Sequence, residues 1–305
     1  MSSEPKANNQ QPTANSFTPN SRNNNTLNTN HMKKHSLSLL AILLPLMANA
    51  DPVEIEGVWY NLDTQQKEAT VTTGNSKYAG NINIPDSVTY EKKKYAVKGI
   101  EKEAFRGCNG LTAIALTENI TSIGEKAFFE CGGLTTITIP EISLLGSIEK
   151  EAFYGCYSLA SISIPQNVTA IGEKAFYDCK SLTEIITPQE MTSIANGTFY
   201  NCSKLTTVSL PWHMTSIGEQ AFCNCNKLTT INIPQNVESI GNAAFRSCSS
   251  LATFNFPEDS PLTDIGESAF DNCSSLARIS LPESITHIRN YTFQNCSSLT
   301  DITIP

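Results

Sequence analysis

The sequence predicts an α/β repeat solenoid: stacked coils with a parallel sheet on one face, short helical turns on the other, and an N-terminal β cap. Three observations predict it. A unit of about 23 residues, I-G-E-x-A-F-x-x-C-x-x-L-x-x-I-x-I-P, recurs nine times between Ile100 and Pro305. Each unit closes on an apolar/polar alternation ended by proline, as in Ile137-Thr138-Ile139-Pro140, which is the pattern of a half-buried strand. Two intervals run to 25 residues, and both extra pairs fall after the proline, within 140–148 and 257–265, so that stretch is a loop that tolerates insertion. A fixed period of this length is a solenoid signature, because one unit cannot bury its apolar edge alone.

Residues 1–31 are rich in Asn, Ser, Thr and Gln with almost nothing apolar, and are expected to be disordered and upstream of the true start. A basic Met32-Lys33-Lys34-His35, an apolar run from Leu37 to Met47 and Ala48-Asn49-Ala50 then make residues 32–50 a signal peptide, with Asp51 the first mature residue. The apolar run is too short to span a bilayer, which needs about 20 residues. Residues 51–99 change pattern: "VEIEGVWYNL", "EATVTT" and "YEKKKYAVKGI" are strand-like by their aromatic and β-branched content, and Ile82-Asn83-Ile84-Pro85 repeats the solenoid strand ending. This segment is expected to form a β cap with a half repeat and a hairpin around Glu91 to Lys94.

Within the repeats of residues 100–305, strands would stack at roughly 4.8 Å. In the other half of the unit, Ile123, Ala127, Phe128 and Cys131 share one side of a short helical turn by spacing, and Ser122/Glu125, Ser216/Glu219 and Asp264/Glu267 have capping-box spacing. Glycine follows the isoleucine in five units, but Glu101, Glu149, Ala195 and Arg289 replace it elsewhere, so the position does not demand a positive φ.

The runs "NITSIGEKAFFECGGLTTITIP" and "NVTAIGEKAFYDCKSLTEIITP" resemble the BspA-like, Treponema-type class of leucine-rich repeats, and the resemblance covers about 205 residues. It implies a leucine-rich-repeat right-handed superhelix. It also implies proteins that are secreted or attached to the bacterial surface, several of them adhesins toward host proteins or neighbouring cells.

Net charge is −8, and without residues 1–50, which carry four basic groups and one acid, it is −11. An acidic chain disfavours nucleic acid and anionic membrane as partners. Nine of the ten cysteines are phased three residues after the core phenylalanine, one per unit, which points to a ladder of buried reduced thiols rather than disulfides or a metal site. Cys223 stands outside that phase and is the one thiol expected to react. His213 and His287 occupy different repeat positions, so no Ser-His-Asp or Cys-His arrangement follows and no enzyme activity is expected. The periodic Glu125, Glu173, Glu219 and Glu267 are expected near helix starts, and no cofactor is called for.

Two surface features remain. The outward strand positions are mainly threonine and serine, a hydrogen-bonding wall without a strong anchor. The position after the core phenylalanine holds Phe129, Tyr154, Tyr177 and Tyr200 in four successive units, flanked by Tyr157. Stacking should bring these together as one strip, the candidate ligand-binding site. The expected function is a binding scaffold for a host or microbial surface protein, with carbohydrate capture, or a spacer for a further C-terminal domain, as alternatives.

Overall fold

The computed structural model describes residues 51–305, and all regular elements among the described residues are strands, twenty-one of them. The expected disorder of 1–31 and the signal peptide at 32–50 lie outside the described residues.

Most coils contribute two short strands, which pair in parallel with those of neighbouring coils. One row is built of two-residue strands: Ser122–Ile123 pairs with Ser147–Ile148, and that with Ala170–Ile171. Farther along, Ser193–Ile194, Ser216–Ile217, Ser239–Ile240 and Asp264–Ile265 continue the pattern. The other row is the wall anticipated from the proline-ended alternation. In it Glu184–Ile186 pairs with Thr207–Ser209, Thr230–Asn232 with Thr253–Asn255, and Arg278–Ser280 with Asp301–Thr303. Side chains alternate across a strand, so Ile137, Ile185 and Ile231 are buried while Thr136, Thr138, Thr230 and Asn232 are exposed. The two insertions are built alike: Ser143 and Ser260 are buried, and their hydroxyls accept from the backbone N–H two residues on, at Leu145 and Leu262.

The third side of each coil corrects the expectation of short helical turns. Two residues before and two residues after every core phenylalanine the backbone has positive φ, as at Lys126 (56°) and Glu130 (57°) around Phe128, or Gly197 (61°) and Asn201 (56°) around Phe199. A right-handed helix cannot pass through such residues. The chain instead runs as consecutive tight turns whose N–H groups alternate in direction. Ala104, Arg106 and Cys108 donate back three residues, to Glu101, Glu103 and Phe105, while Phe105 and Gly107 donate across to Ala127 and Phe129 of the next coil, at 2.7 Å each. The Phe and Cys spacing that imitates one side of a helix thus comes from turns stitched coil to coil. The capping-box pairs have no helix to cap, and Ser122 and Ser216 sit inside strands.

The core phenylalanines form one continuous stack from Phe105 to Phe293, with centroids 4.9–5.6 Å apart and neighbouring rings within 15° of parallel. Beside them the ladder cysteines donate Sγ–H to the preceding coil's phenylalanine carbonyl, as Cys179 to Phe153 and Cys202 to Phe176, both at 3.2 Å. At Gly124 the neighbouring coil comes so near that a Cβ would stand 2.7 Å from Glu101 C. Close approach, not a positive φ, favours glycine there.

The N-terminal strands are β1 (Val53–Ile55), β2 (Val58–Asp63), β3 (Glu68–Val71), β4 (Gly80–Asn83), β5 (Ser87–Tyr90), β6 (Lys93–Ile100) and β7 (Leu111–Ala115). β1 to β3 are antiparallel, but β3 pairs in parallel with β6, and β6 with Ser122–Ile123. Instead of a separate cap, these strands extend the solenoid's own sheet, because Gly99-Ile100 has the register of a repeat strand. β5 and β6 meet through Glu91 and Lys92, both at positive φ (49° and 64°), as a two-residue hairpin turn requires. β4 pairs in parallel with β7 on the other row.

Candidate functional site: the aromatic strip and the strand wall

Phe129, Tyr154, Tyr177 and Tyr200 are brought together as a single strip. Successive ring centroids lie 4.8, 4.6 and 4.3 Å apart with interplanar angles of 12°, 4° and 4°. Coil stacking alone produces this, since equivalent positions in register are one coil apart. The four rings are half-buried. Tyr157 stands aside from the stack: it is 42% exposed, with Lys180 Nζ 4.9 Å from its ring centroid, and it lies against the backbone at Gly132.

The arrangement limits what the strip can do. Face-to-face stacking leaves the inner rings no free face, and Arg106 lies over Phe129 at 5.4 Å from its centroid. Sugar stacking needs an open ring face. The strip therefore offers ring edges and the hydroxyls of Tyr154, Tyr177 and Tyr200. Burial, then the neighbouring Tyr200 and Tyr154, push the Tyr177 phenol well up, and burial followed by Asp178 raises Tyr154. The Tyr154 and Tyr177 hydroxyls stay neutral through the physiological range and both donate and accept.

Cys223, expected to be reactive, is 4% exposed and its thiol is pushed up to about 11, chiefly by burial. Its place in the row after the core phenylalanine is covered by the adjoining coils, where Arg246 and Asp271 make an ion pair at 3.2 Å. The ladder cysteines are free thiols, and burial raises Cys131 to about 12. The periodic glutamates are also placed differently from expectation. Glu125 and Glu173 pair across coils with Lys102 (3.0 Å) and Lys150 (3.1 Å), and those lysines hold both carboxyls below their ordinary range.

On the wall, threonine hydroxyls donate to carbonyls one coil back, as Thr135 to Thr112 (2.9 Å) and Thr206 to Thr183 (3.0 Å). Much of its hydrogen-bonding capacity is thus used between coils. Two anchors on this side were missed in the sequence. Trp212, 70% exposed, follows Pro211 at a position held by Gln166, Gln189 and Gln235 in other coils. Ile186, 52% exposed, results from an inverted strand ending, Ile186-Thr187, in which the threonine is fully buried and bonds Ser209 O at 2.7 Å. Both are visible as departures from the repeat at positions that other coils fill with polar residues.

Among the described residues no group of His, Cys, Asp and Glu could hold a metal ion, and no helix is long and apolar enough to cross a membrane. No curated protein matches the sequence. The fold is shared with a leucine rich cell surface protein from Faecalibacterium prausnitzii A2-165, at 25% identity and TM-score 0.61, covering 83% of this chain and 94% of that one. It is shared also with the leucine rich repeat protein of T. pallidum, at 24% identity and TM-score 0.53, covering 73% and 90%. The family model described as BspA type leucine rich repeat region matches in six copies over residues 75–205, 146–260 and 215–305. Those matched spans take in the nine stacked coils, with their phenylalanine and cysteine ladders, and the chain belongs to the BspA type leucine-rich repeat family.

Proposed function

We propose that the protein is a secreted or surface-attached scaffold that recognises a host or microbial surface protein, and that the strip of Phe129, Tyr154, Tyr177 and Tyr200, with Tyr157 at its margin, is part of the surface it presents. One observation carries this. The four rings are ordered into a rigid row at a position where other coils hold Arg106, Arg246 and Gln294, so the core does not require aromatics there. Tyrosine offers contact area with few rotamers to freeze and adds a hydroxyl, which is why it is common in binding hot spots. Family membership supports a protein-binding scaffold, and the Faecalibacterium relative is itself described as a cell surface protein. The covered ring faces weigh against the carbohydrate-stacking alternative.

The test uses Tyr154→Phe, Tyr177→Phe and Tyr200→Phe together, which keeps the stack and removes only the hydroxyls. Adhesion to immobilised cell-surface protein extracts should fall at least tenfold while the melting temperature stays within a few degrees. Unchanged adhesion by the triple variant would assign the strip to stability alone.

A further inference from the structure

Charge is segregated around the solenoid, and by repeat position. In residues 101–298, the turn side, running from each repeat isoleucine to the next repeat leucine, carries eleven acidic and ten basic residues, so it is nearly neutral. Its charges are used internally, in coil-to-coil pairs such as Lys102 with Glu125, Lys126 with Glu151 and Lys150 with Glu173. The strand side, from each leucine through the proline to the next isoleucine, carries nine acidic residues and one basic residue, Arg278. Glu141, Glu184, Glu190, Glu238, Glu258 and Asp259 are all exposed there, and none makes an ion pair among the described residues. Nearly all of the repeat region's net negative charge therefore sits on the wall and its proline edge. Internal pairing does not account for it.

The two outward anchors lie on this same side. Ile186 is in register with Ser209, three residues before Trp212, and Glu184 is in register with Thr207. The Trp212 indole meets His213 edge-on at 5.0 Å, and unlike the strip tyrosines it is not stacked on another ring. Turning Ile186 outward and Thr187 inward gives up apolar burial that the usual Thr-Ile order would provide, a departure from local consistency of the kind found at functional sites. An exposed indole with nearby carboxylates attracts guanidinium and ammonium groups through both its π face and the local field.

We infer that the wall and proline edge around Trp212 and Ile186, flanked by Glu184 and Glu190, form a docking surface for a basic protein segment that carries apolar side chains among its arginines or lysines. This rests on the chain being a protein-binding scaffold, but not on the tyrosine strip. The arginine or lysine groups would pair with Glu184 and Glu190 and lie on the indole, while aliphatic side chains would cover Ile186.

The probe is a short fluorescein-labelled peptide of arginine and leucine in equal parts, titrated into the whole protein by anisotropy. Controls replace arginine with glutamate, or leucine with serine. The arginine/leucine peptide should bind at least tenfold tighter than either control, and more weakly as salt rises. Trp212→Ala with Ile186→Thr should weaken it at least tenfold, and Glu184→Gln with Glu190→Gln severalfold with a flatter salt dependence. Melting curves that match the parent show that these surface variants are folded. Equal binding by both variants and the parent, equal binding of the glutamate peptide, or no binding of any peptide would overturn the proposal. If the strip Tyr→Phe variant alone abolished peptide binding, the basic segment would dock on the strip; the wall would be excluded while the scaffold reading stood. Loss of adhesion in that variant with peptide binding intact would keep the two surfaces separate.

Discussion

At the residue scale, the repeated cysteine does two jobs that its spacing alone only half reveals. One thiol per coil, three residues after the phenylalanine, reads as a buried small apolar group, and the cysteines from Cys131 to Cys273 are indeed fully buried. What spacing does not show is the Sγ–H donation to the phenylalanine carbonyl of the coil before, at 2.9 Å for Cys131 and 3.1–3.2 Å in the later coils. The thiolate is the reactive form, so burial protects these positions twice, by access and by pKa. A thiol reagent at pH 8 should therefore label at most one site in the native protein, the half-buried Cys296, and all ten after denaturation. Rapid native labelling of Cys179 or Cys202 would contradict the ladder. The phenylalanine stack allows a second prediction. Phe199→Ala removes a fully buried ring lying between Phe176 and Phe222, and should cost about 3–5 kcal/mol. Hydrogen exchange should show the loss of protection concentrated in the neighbouring coils.

At the element scale, the proline-ended strands were legible, while the row of two-residue strands such as Ser122–Ile123 and the turns that follow it were not, for one physical reason. Alternation closed by proline is a pattern that little besides a half-buried strand produces, and the wall follows it in most coils, with the inversion at Ile186-Thr187 as a departure. The spacing of Ile123, Ala127, Phe128 and Cys131 is shared by a helical side and by a run of tight turns, so periodicity could not separate them. The discriminating signal lay two residues after the phenylalanine, where Gly107, Gly155, Asp178, Asn201 and Asn272 are residue types that tolerate positive φ. The aromatic strip was legible as a contiguous row, because register follows from the repeat, but its closed ring faces depend on ring tilt, which no sequence pattern encodes. Positive φ at these positions makes the turn testable. Glu130, exposed at φ 57°, should gain about 0.5–1 kcal/mol on Glu130→Gly, whereas Asn201→Val at φ 56° should lose about 1–3 kcal/mol, both read from urea midpoints. Opposite signs for that pair would restore the helical turn.

At the scale of the whole molecule, the ladders make stability asymmetric in pH. The acid-sensitive groups are surface carboxylates: Glu125 and Glu173 are lowered by their lysine partners, so their contribution is present above the ordinary carboxylate range and fades as pH falls through the lowered values. Exposed pairs contribute little, so the acid limb should be shallow. The alkaline side differs because the shifted groups are buried and numerous. Cys223 and Cys296 are raised to about 11, Cys131, Tyr60 and Tyr78 to about 12, and Cys156, Cys179 and Cys225 well above the ordinary thiol value, all chiefly by burial. A raised folded value means that the unfolded chain releases its proton first. The stabilisation is then complete below about pH 9 and is lost as pH climbs through 9 to 12, at about 1.4 kcal/mol per pH unit for each group ionised only in the unfolded state. Several thiols titrating together should give a steep collapse. Urea midpoints are expected to be nearly flat from pH 6 to about 8.5 and to fall sharply by about 10.5, with cysteines dominating the first part of the drop and tyrosines the later part. Because each ladder thiol contributes one proton, Cys202→Ala should make the alkaline slope shallower by about one group's worth, even though the variant starts from lower stability at pH 7. An unchanged slope in that variant, or a collapse on the acid side instead, would show that the buried ladder does not govern how this solenoid responds to pH.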